Sequence, residues 1–140
     1  MTDDYQYLLV VDDQPNVCRL FFEVFTDEGF NVELAHNAEQ AIKKIRARTP
    51  LLVLLDVNMP GMGGIDTLKE IRKFEPDLAV IMMTAYSELE VVLENKKKGL
   101  FKHYISKPFD LAEVSVMVKE ILAEESKRKA GAAQTSLGGF

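Results

Sequence analysis

Four short apolar runs in this chain each end in a polar side chain, and that repeated ending constrains the fold more than any other feature. Leu8-Leu9-Val10-Val11 stops at Asp12-Asp13, and Leu51 to Leu55 stops at Asp56. Leu78 to Met83 stops at Thr84, and the weaker Tyr104-Ile105 stops at Ser106 and Lys107. Continuous runs of this length suit strands buried on both faces. Asn31 to Ala35 alternates instead, which predicts a fifth strand nearer the edge of the sheet.

Helical spacing fills the intervals. Pro15 to about Glu28 places Val17, Leu20, Phe21, Val24 and Phe25 on one helical face, with Pro15 suited to a first turn and Gly29 to a stop. Ala38 to Arg48 repeats the pattern through Ala41, Ile42 and Ile45, with Asn37 as cap. A third helix begins near Ile65, after Gly63-Gly64, and closes before Pro76. A fourth runs from Ser87 to Lys98 and stops at Gly99. A fifth runs from Leu111 to about Glu124, capped by Asp110. Strand and helix alternate five times, which predicts a parallel sheet with helices on both faces and right-handed crossovers.

The 140 residues suit one domain with a real core. Hydrophobic residues are 47% and charged residues 28%, a globular balance that argues against disorder. The net charge of −5 gives nucleic-acid phosphates no general attraction, so direct nucleic-acid binding is not expected. One cysteine, Cys18, leaves no internal disulfide, and neither a signal segment nor a membrane-length apolar run is present, so a cytoplasmic protein is expected. Glu125 to Phe140 is rich in Ala, Gly, Ser and Lys and reads as a tail or linker beyond a domain of residues 1–124.

In an open parallel sheet the strand C-termini share one edge, where ligands bind. That edge would gather Asp12, Asp13, Asp56, Thr84 and Lys107. Three carboxylates in one crevice repel one another unless a cation holds them ionised, and oxygen ligands with room for water favour Mg²⁺. A carboxylate beside such an ion can attack phosphorus and form an acyl phosphate, with Lys107 neutralising the phosphoryl group and Thr84 donating its hydroxyl. Each residue alone has a plainer reading. Asp12-Asp13 could cap the helix, Asp56 could begin the turn Asn58-Met59-Pro60-Gly61, and Lys107 could be a solvated lysine. Four successive strand ends carrying complementary groups outweigh those separate readings.

Val10-Val11-Asp12-Asp13, Leu54-Leu55-Asp56-Val57-Asn58-Met59-Pro60-Gly61, Met83-Thr84-Ala85 and Lys107-Pro108-Phe109 together resemble the signature of response-regulator receiver domains, over about residues 5 to 124. The resemblance implies a flavodoxin-like (βα)5 fold with strand order 2-1-3-4-5. It implies that Asp56 accepts a phosphoryl group from a histidine kinase. Asp13, Asp56 and the backbone carbonyl of Asn58 would ligate Mg²⁺, and Asp12 would act through a metal-bound water. Thr84 and Tyr104 match the family's switch pair, which would alter the face of helix 4, strand 5 and helix 5. Asn58 and Tyr86 match the positions that tune hydrolysis. Asp12-Asp13-Gln14, Met83-Thr84-Ala85-Tyr86 and Lys107-Pro108-Phe109-Asp110 further resemble single-domain regulators of the sporulation phosphorelay. Those pass phosphate to a histidine phosphotransferase through helix 1 and the loop after strand 5, here Pro15, Val17, Cys18, Leu20, Lys107 and Pro108.

Three other readings remain open at this point. The chain could be the N-terminal receiver of a longer transcription regulator whose DNA-binding output domain lies beyond it. A phosphatase of the haloacid-dehalogenase type also uses an aspartate nucleophile, but it wants a second aspartate two residues on, where this chain has Asn58. A degenerate receiver acting as a scaffold would usually lose an acid or the lysine, and none is lost. Cys18, His36 and His103 have no matching metal partners and read as packing or surface residues.

Overall fold

The computed structural model describes residues 5–138, with side chains for residues 5–131. Its elements run β1 Tyr7–Val11, α1 Pro15–Asp27, β2 Asn31–Ala35, α2 Ala38–Ala47, β3 Leu52–Asp56 and α3 Gly64–Arg72. They continue with β4 Val80–Ala85, a 3₁₀ turn at Tyr86–Glu88, α4 Leu89–Lys97, β5 His103–Lys107 and α5 Leu111–Gly138. The five strands form one parallel sheet in the order β2-β1-β3-β4-β5. This is the flavodoxin-like (βα)5 architecture, with the strand order that the resemblance implies.

Alternation along each strand divides the core into two layers. Tyr7, Leu9 and Val11 of β1 face a cluster closed by Ala41 and Ile45 of α2, Leu68 and Ile71 of α3, and Val92 of α4. Leu8 and Val10 face the opposite cluster, with Cys18, Phe21 and Phe25 of α1 and Val114, Val118 and Ile121 of α5. All five residues of β1 and all five of β3 are buried, as strands covered on both faces must be. The partly exposed residues of β2 mark the edge. The Asn37 side chain caps α2 by accepting from the Gln40 N–H at 2.8 Å, and Asp110 accepts from the Ala112 N–H at the start of α5.

Several local expectations shift. Leu20 is 49% exposed, because the buried stripe of α1 centres on Cys18, Phe21 and Phe25 and Leu20 lies on the far side of the helix. Thr84 lies inside β4 rather than beyond it, paired with Ser106. The α4 region opens with the 3₁₀ turn, so its α-helix starts at Leu89 rather than Ser87. Most of all, α5 continues past Glu124 to Gly138. Residues 125–138 contain no proline, and their Ala, Glu, Lys, Arg and Gln favour continuing the helix. An i,i+3 pair, Arg128 with Glu125 at 3.0 Å, lies on that extension. The last two residues of the expected tail, and the side chains beyond 131, lie outside the described residues. Among the described residues, no helix is long and apolar enough to cross a membrane.

The loop after β3 is fixed by close backbone approach. The Gly64 N–H donates to the Val57 carbonyl at 2.8 Å, and a Cβ at Gly64 would lie 2.8 Å from Val57 Cα as well as against the Asp56 carbonyl oxygen. At neighbouring Gly63 the same atom would meet only the Val57 oxygen, at 3.5 Å. Gly64→Ala is therefore expected to cost about 1–3 kcal/mol in urea denaturation, and Gly63→Ala markedly less. Equal losses would show that the close approach at Gly64 does not matter.

Candidate functional site

At the C-terminal edge of the sheet, the order β2-β1-β3 makes the β1 and β3 connections depart to opposite faces, and a crevice opens between them. Asp12 follows β1 directly and Asp56 ends β3, so parallel register carries both into that crevice. Asp12, Asp13 and Asp56 each offer a carboxylate oxygen within 4.8 Å of the others. Asp12 is fully buried and Asp56 is 3% exposed, while Asp13 is the most open of the three. No other such group of His, Cys, Asp and Glu occurs among the described residues.

Lys107, the last residue of β5, reaches across from the far side of β4. Its Nζ lies 3.3 Å from Asp12 Oδ2 and 3.3 Å from Asp56 Oδ1. One ammonium thus bridges two buried carboxylates, and with all three acids ionised the cluster carries a formal −2. Burial pushes Asp56 up to about 6, the nearby Asp12 adds to that, and Lys107 with the Asn58 backbone N–H oppose it. Burial also works against the charge on Lys107, but Asp56 and Asp12 more than offset it, so the lysine is raised.

The remaining expected residues fall around this centre. Thr84 is fully buried, and its hydroxyl donates to the Ala85 carbonyl at 3.0 Å. Asn58 is exposed in the loop after β3, two residues beyond Asp56, and its backbone N–H donates to the Asp56 carboxylate. Tyr86 begins the 3₁₀ turn and is 81% exposed. Tyr104 is half-buried and packs against the cluster formed by α2, α3 and α4. The Lys107-Pro108 peptide bond is cis. Cys18 is buried, as its reading as a small hydrophobe requires, yet it also has a polar role. Its Sγ donates to the Asp12 carbonyl at 3.3 Å, and burial pushes the thiol up to about 11, which keeps that proton in place. His36 Nδ1 lies 3.3 Å from the same carbonyl. Neither contact has a sequence signal, because residues 18 and 36 meet residue 12 only through the fold.

The donor set fits a hard divalent cation. It is all oxygen, it is open at Asp13, and it is under-neutralised by one lysine.

Residues 8–119 match the response regulator receiver domain family. Among curated proteins, the chain is 41% identical over 119 residues to "Sporulation initiation phosphotransferase F" of Bacillus subtilis, covering 85% of this chain and 95% of that protein. It is 40% identical over 122 residues to "Regulatory protein AtoC" of Escherichia coli, covering 87% of this chain but only 26% of that protein. Among solved structures, response regulator protein TrrA of Thermotoga maritima, in complex with Mg(2+)-BeF, superposes with a TM-score of 0.72. That pair is 36% identical over 82% of this chain and 97% of the other.

The raised value of Asp56 has a measurable consequence. A carboxylate whose folded-state value exceeds its unfolded one stabilises the fold fully below the unfolded value, near 3.8, and loses that contribution as pH rises through about 6. At pH 7.5 without divalent cations, Asp56→Asn should therefore raise unfolding stability by about 1–3 kcal/mol. At pH 5 the gain should shrink, because the wild-type carboxyl is then largely protonated. Urea denaturation at both pH values checks this, and an unchanged or destabilised variant at pH 7.5 refutes it.

Proposed function

This chain belongs to the response regulator receiver domain family, a signalling module rather than a true enzyme, and we propose that it accepts a phosphoryl group on Asp56 and relays that state. The observation that carries this reading is the Asp56 carboxylate itself. It ends a fully buried strand, lies beside two further acids, and has the Lys107 ammonium 3.3 Å away.

In the proposed step, an Asp56 oxygen forms a bond to the phosphorus of a partner's phosphohistidine. The phosphorus–nitrogen bond breaks, and its electron pair returns to the imidazole ring, which leaves the donor histidine free. Lys107 offsets charge on the transferred group, and the Thr84 hydroxyl turns from the Ala85 carbonyl to a phosphoryl oxygen. Asp13, Asp56 and the Asn58 carbonyl would hold Mg²⁺, with Asp12 acting through a bound water. That ion supplies positive charge to the phosphoryl oxygens and relieves the crowding of the carboxylates. Thr84 and Tyr104 form the switch, and Asn58 and Tyr86 govern the approach of hydrolytic water. Phosphorylation adds about −1.5 to −2 charge at the crevice, and the new contacts favour one of two packings of α4, β5 and α5.

A histidine kinase or a histidine phosphotransferase is the partner class this chemistry requires. Similarity across nearly the whole of the Bacillus subtilis protein supports a single-domain phosphorelay role in the cytoplasm, with residues 1–124 as the receiver and 125–140 as an appended segment. On that reading the exposed Leu20 and Pro15 on α1, together with Pro108, belong to the docking surface. The AtoC match keeps a second reading open, in which α5 leads into an output domain.

Intact-mass measurement after incubation with acetyl phosphate and Mg²⁺ tests the proposal. The wild type should gain one phosphoryl adduct, which is lost in Asp56→Ala and with excess chelator. Lys107→Ala should slow its formation at least about tenfold, as loss of one charge-stabilising group does. A folded wild type that gains no adduct, and binds no beryllofluoride, overturns the reading.

A further inference from the structure

A second charged feature lies away from the carboxylate crevice, at the other ends of α3 and α4. A groove of about 340 Å³ is lined by Lys69 and Arg72 of α3, Pro76, Asn95 of α4, Lys98, Gly99 and Leu100. Its charged lining is wholly basic, in a chain whose net charge is −5. Lys69 and Lys98 are exposed and make no ion pair among the described residues.

Arg72 is the anchor. Its Nε donates to the Leu100 carbonyl at 2.9 Å, and its Nη1 donates to the Leu78 carbonyl at 2.7 Å and the Glu75 carbonyl at 3.2 Å. Those bonds fix the plane of the half-buried guanidinium across the α3–β4 and α4–β5 loops, while Nη2 has no partner among the described residues. Asn95 is 8% exposed, an unusual polar choice for a packed helical position, and its amide donates to the Val91 carbonyl at 2.9 Å. Lysines in the last turn of a helix also favour the helix dipole. That accounts for charge at Lys69, in the last turn of α3, and at Lys98, which caps α4, but it requires neither a groove nor an immobilised guanidinium in its lining.

We propose that this groove binds a small polyanion of the phosphate class, with Arg72, Lys69 and Lys98 as its cationic contacts. The lining holds three cations and no acid, and Asp77 next to Pro76 acts on Arg72 from outside it, so the groove matches two or three negative charges better than one carboxylate. A planar guanidinium already held in place loses little freedom on binding an oxyanion. The volume exceeds a single phosphate and accommodates a diphosphate or a phosphorylated small molecule.

Amide-resolved NMR titration of the full chain with inorganic diphosphate tests this, in chelator so that the acidic crevice holds no metal. Saturable shifts should concentrate at Lys69, Arg72, Asn95 and Lys98. The doubly substituted Lys69→Ala/Lys98→Ala protein, altered only at exposed positions, should bind at least tenfold more weakly, whereas Lys69→Arg/Lys98→Arg should retain affinity. Lys43→Ala, on α2, should change nothing. The proposal fails if shifts scatter without saturating, if Lys43→Ala weakens binding as much as the double alanine variant, or if an acidic hexapeptide binds the groove more tightly than diphosphate.

Discussion

Three carboxylates held at the open edge of a buried sheet are the constraint around which the rest of this molecule is arranged. Asp12 and Asp56 have almost no exposure, so each ionised carboxylate has exchanged water for whatever the protein supplies. The supply is specific. Lys107 bridges both, the Gln14 N–H donates to Asp12 Oδ1 at 2.9 Å, and the Asn58 N–H holds Asp56. The Asp12 carbonyl is engaged separately by Cys18 and His36. This is more support than a capping acid requires, and it still leaves the cluster short of neutral. A surplus of negative charge in a crowded site disfavours the fold at neutral pH and favours any cation that enters it, so one arrangement sets both the instability and the ligand.

Such a site needs rigid walls, and the surrounding packing provides them. β1 and β3 are buried along their whole length, and the Val57 N–H donates to the Met83 carbonyl at 2.8 Å just beyond Asp56. Lys107 is steadied from outside the sheet. Phe109, two residues on, stacks on Phe21 of α1 with centroids 5.3 Å apart, and Phe21 stacks in turn on Phe25. At the other end of α1, Glu28 accepts from the Ser115 hydroxyl at 2.7 Å and pairs with Lys119 at 2.8 Å. α1 is thus tied to the β5–α5 loop through Phe109, and α5 is tied to the end of α1 through Glu28, which holds the loop after the lysine against the strands carrying the acids.

Much of this was legible in sequence because it follows from short-range pattern. Buried parallel strands announce themselves as apolar runs, and a polar residue ending each run must fall at one edge of the sheet. The strand order, by contrast, came from resemblance, since alternation alone does not rank neighbours. What periodicity missed has physical reasons. Leu20 has helical spacing from Val17 and Val24 but lies off the stripe defined by Cys18, Phe21 and Phe25. Tyr7 falls just outside the apolar run that begins at Leu8, yet it opens β1 and is 1% exposed, because its hydroxyl donates to the Arg48 carbonyl at 2.6 Å, at the end of α2. The composition of the α5 extension, with little apolar content, suits a linker, but a helix joined to a packed one needs only residues that do not break it. Arg72 gave no signal at all, since its three carbonyl acceptors are distributed over two loops that no local motif connects.

The threonine illustrates how little such a switch has to change. Thr84 is fully buried, and its hydroxyl donates to the carbonyl of the very next residue, a neutral acceptor. On the proposed reading, a phosphoryl oxygen arriving at Asp56 offers the same hydroxyl a charged acceptor. Hydrogen bonds to charged groups contribute about 1.5–3 kcal/mol, against about 0.5–1.5 kcal/mol for neutral ones. An exchange of that size, about 1–2 kcal/mol, shifts a two-state equilibrium by roughly five- to thirtyfold. On the same reading the rest of the bias comes from Lys107 and from Tyr104, which is half-buried against the cluster of α2, α3 and α4. A switch assembled from several modest terms of this kind stays reversible, because no single contact is strong enough to trap either state.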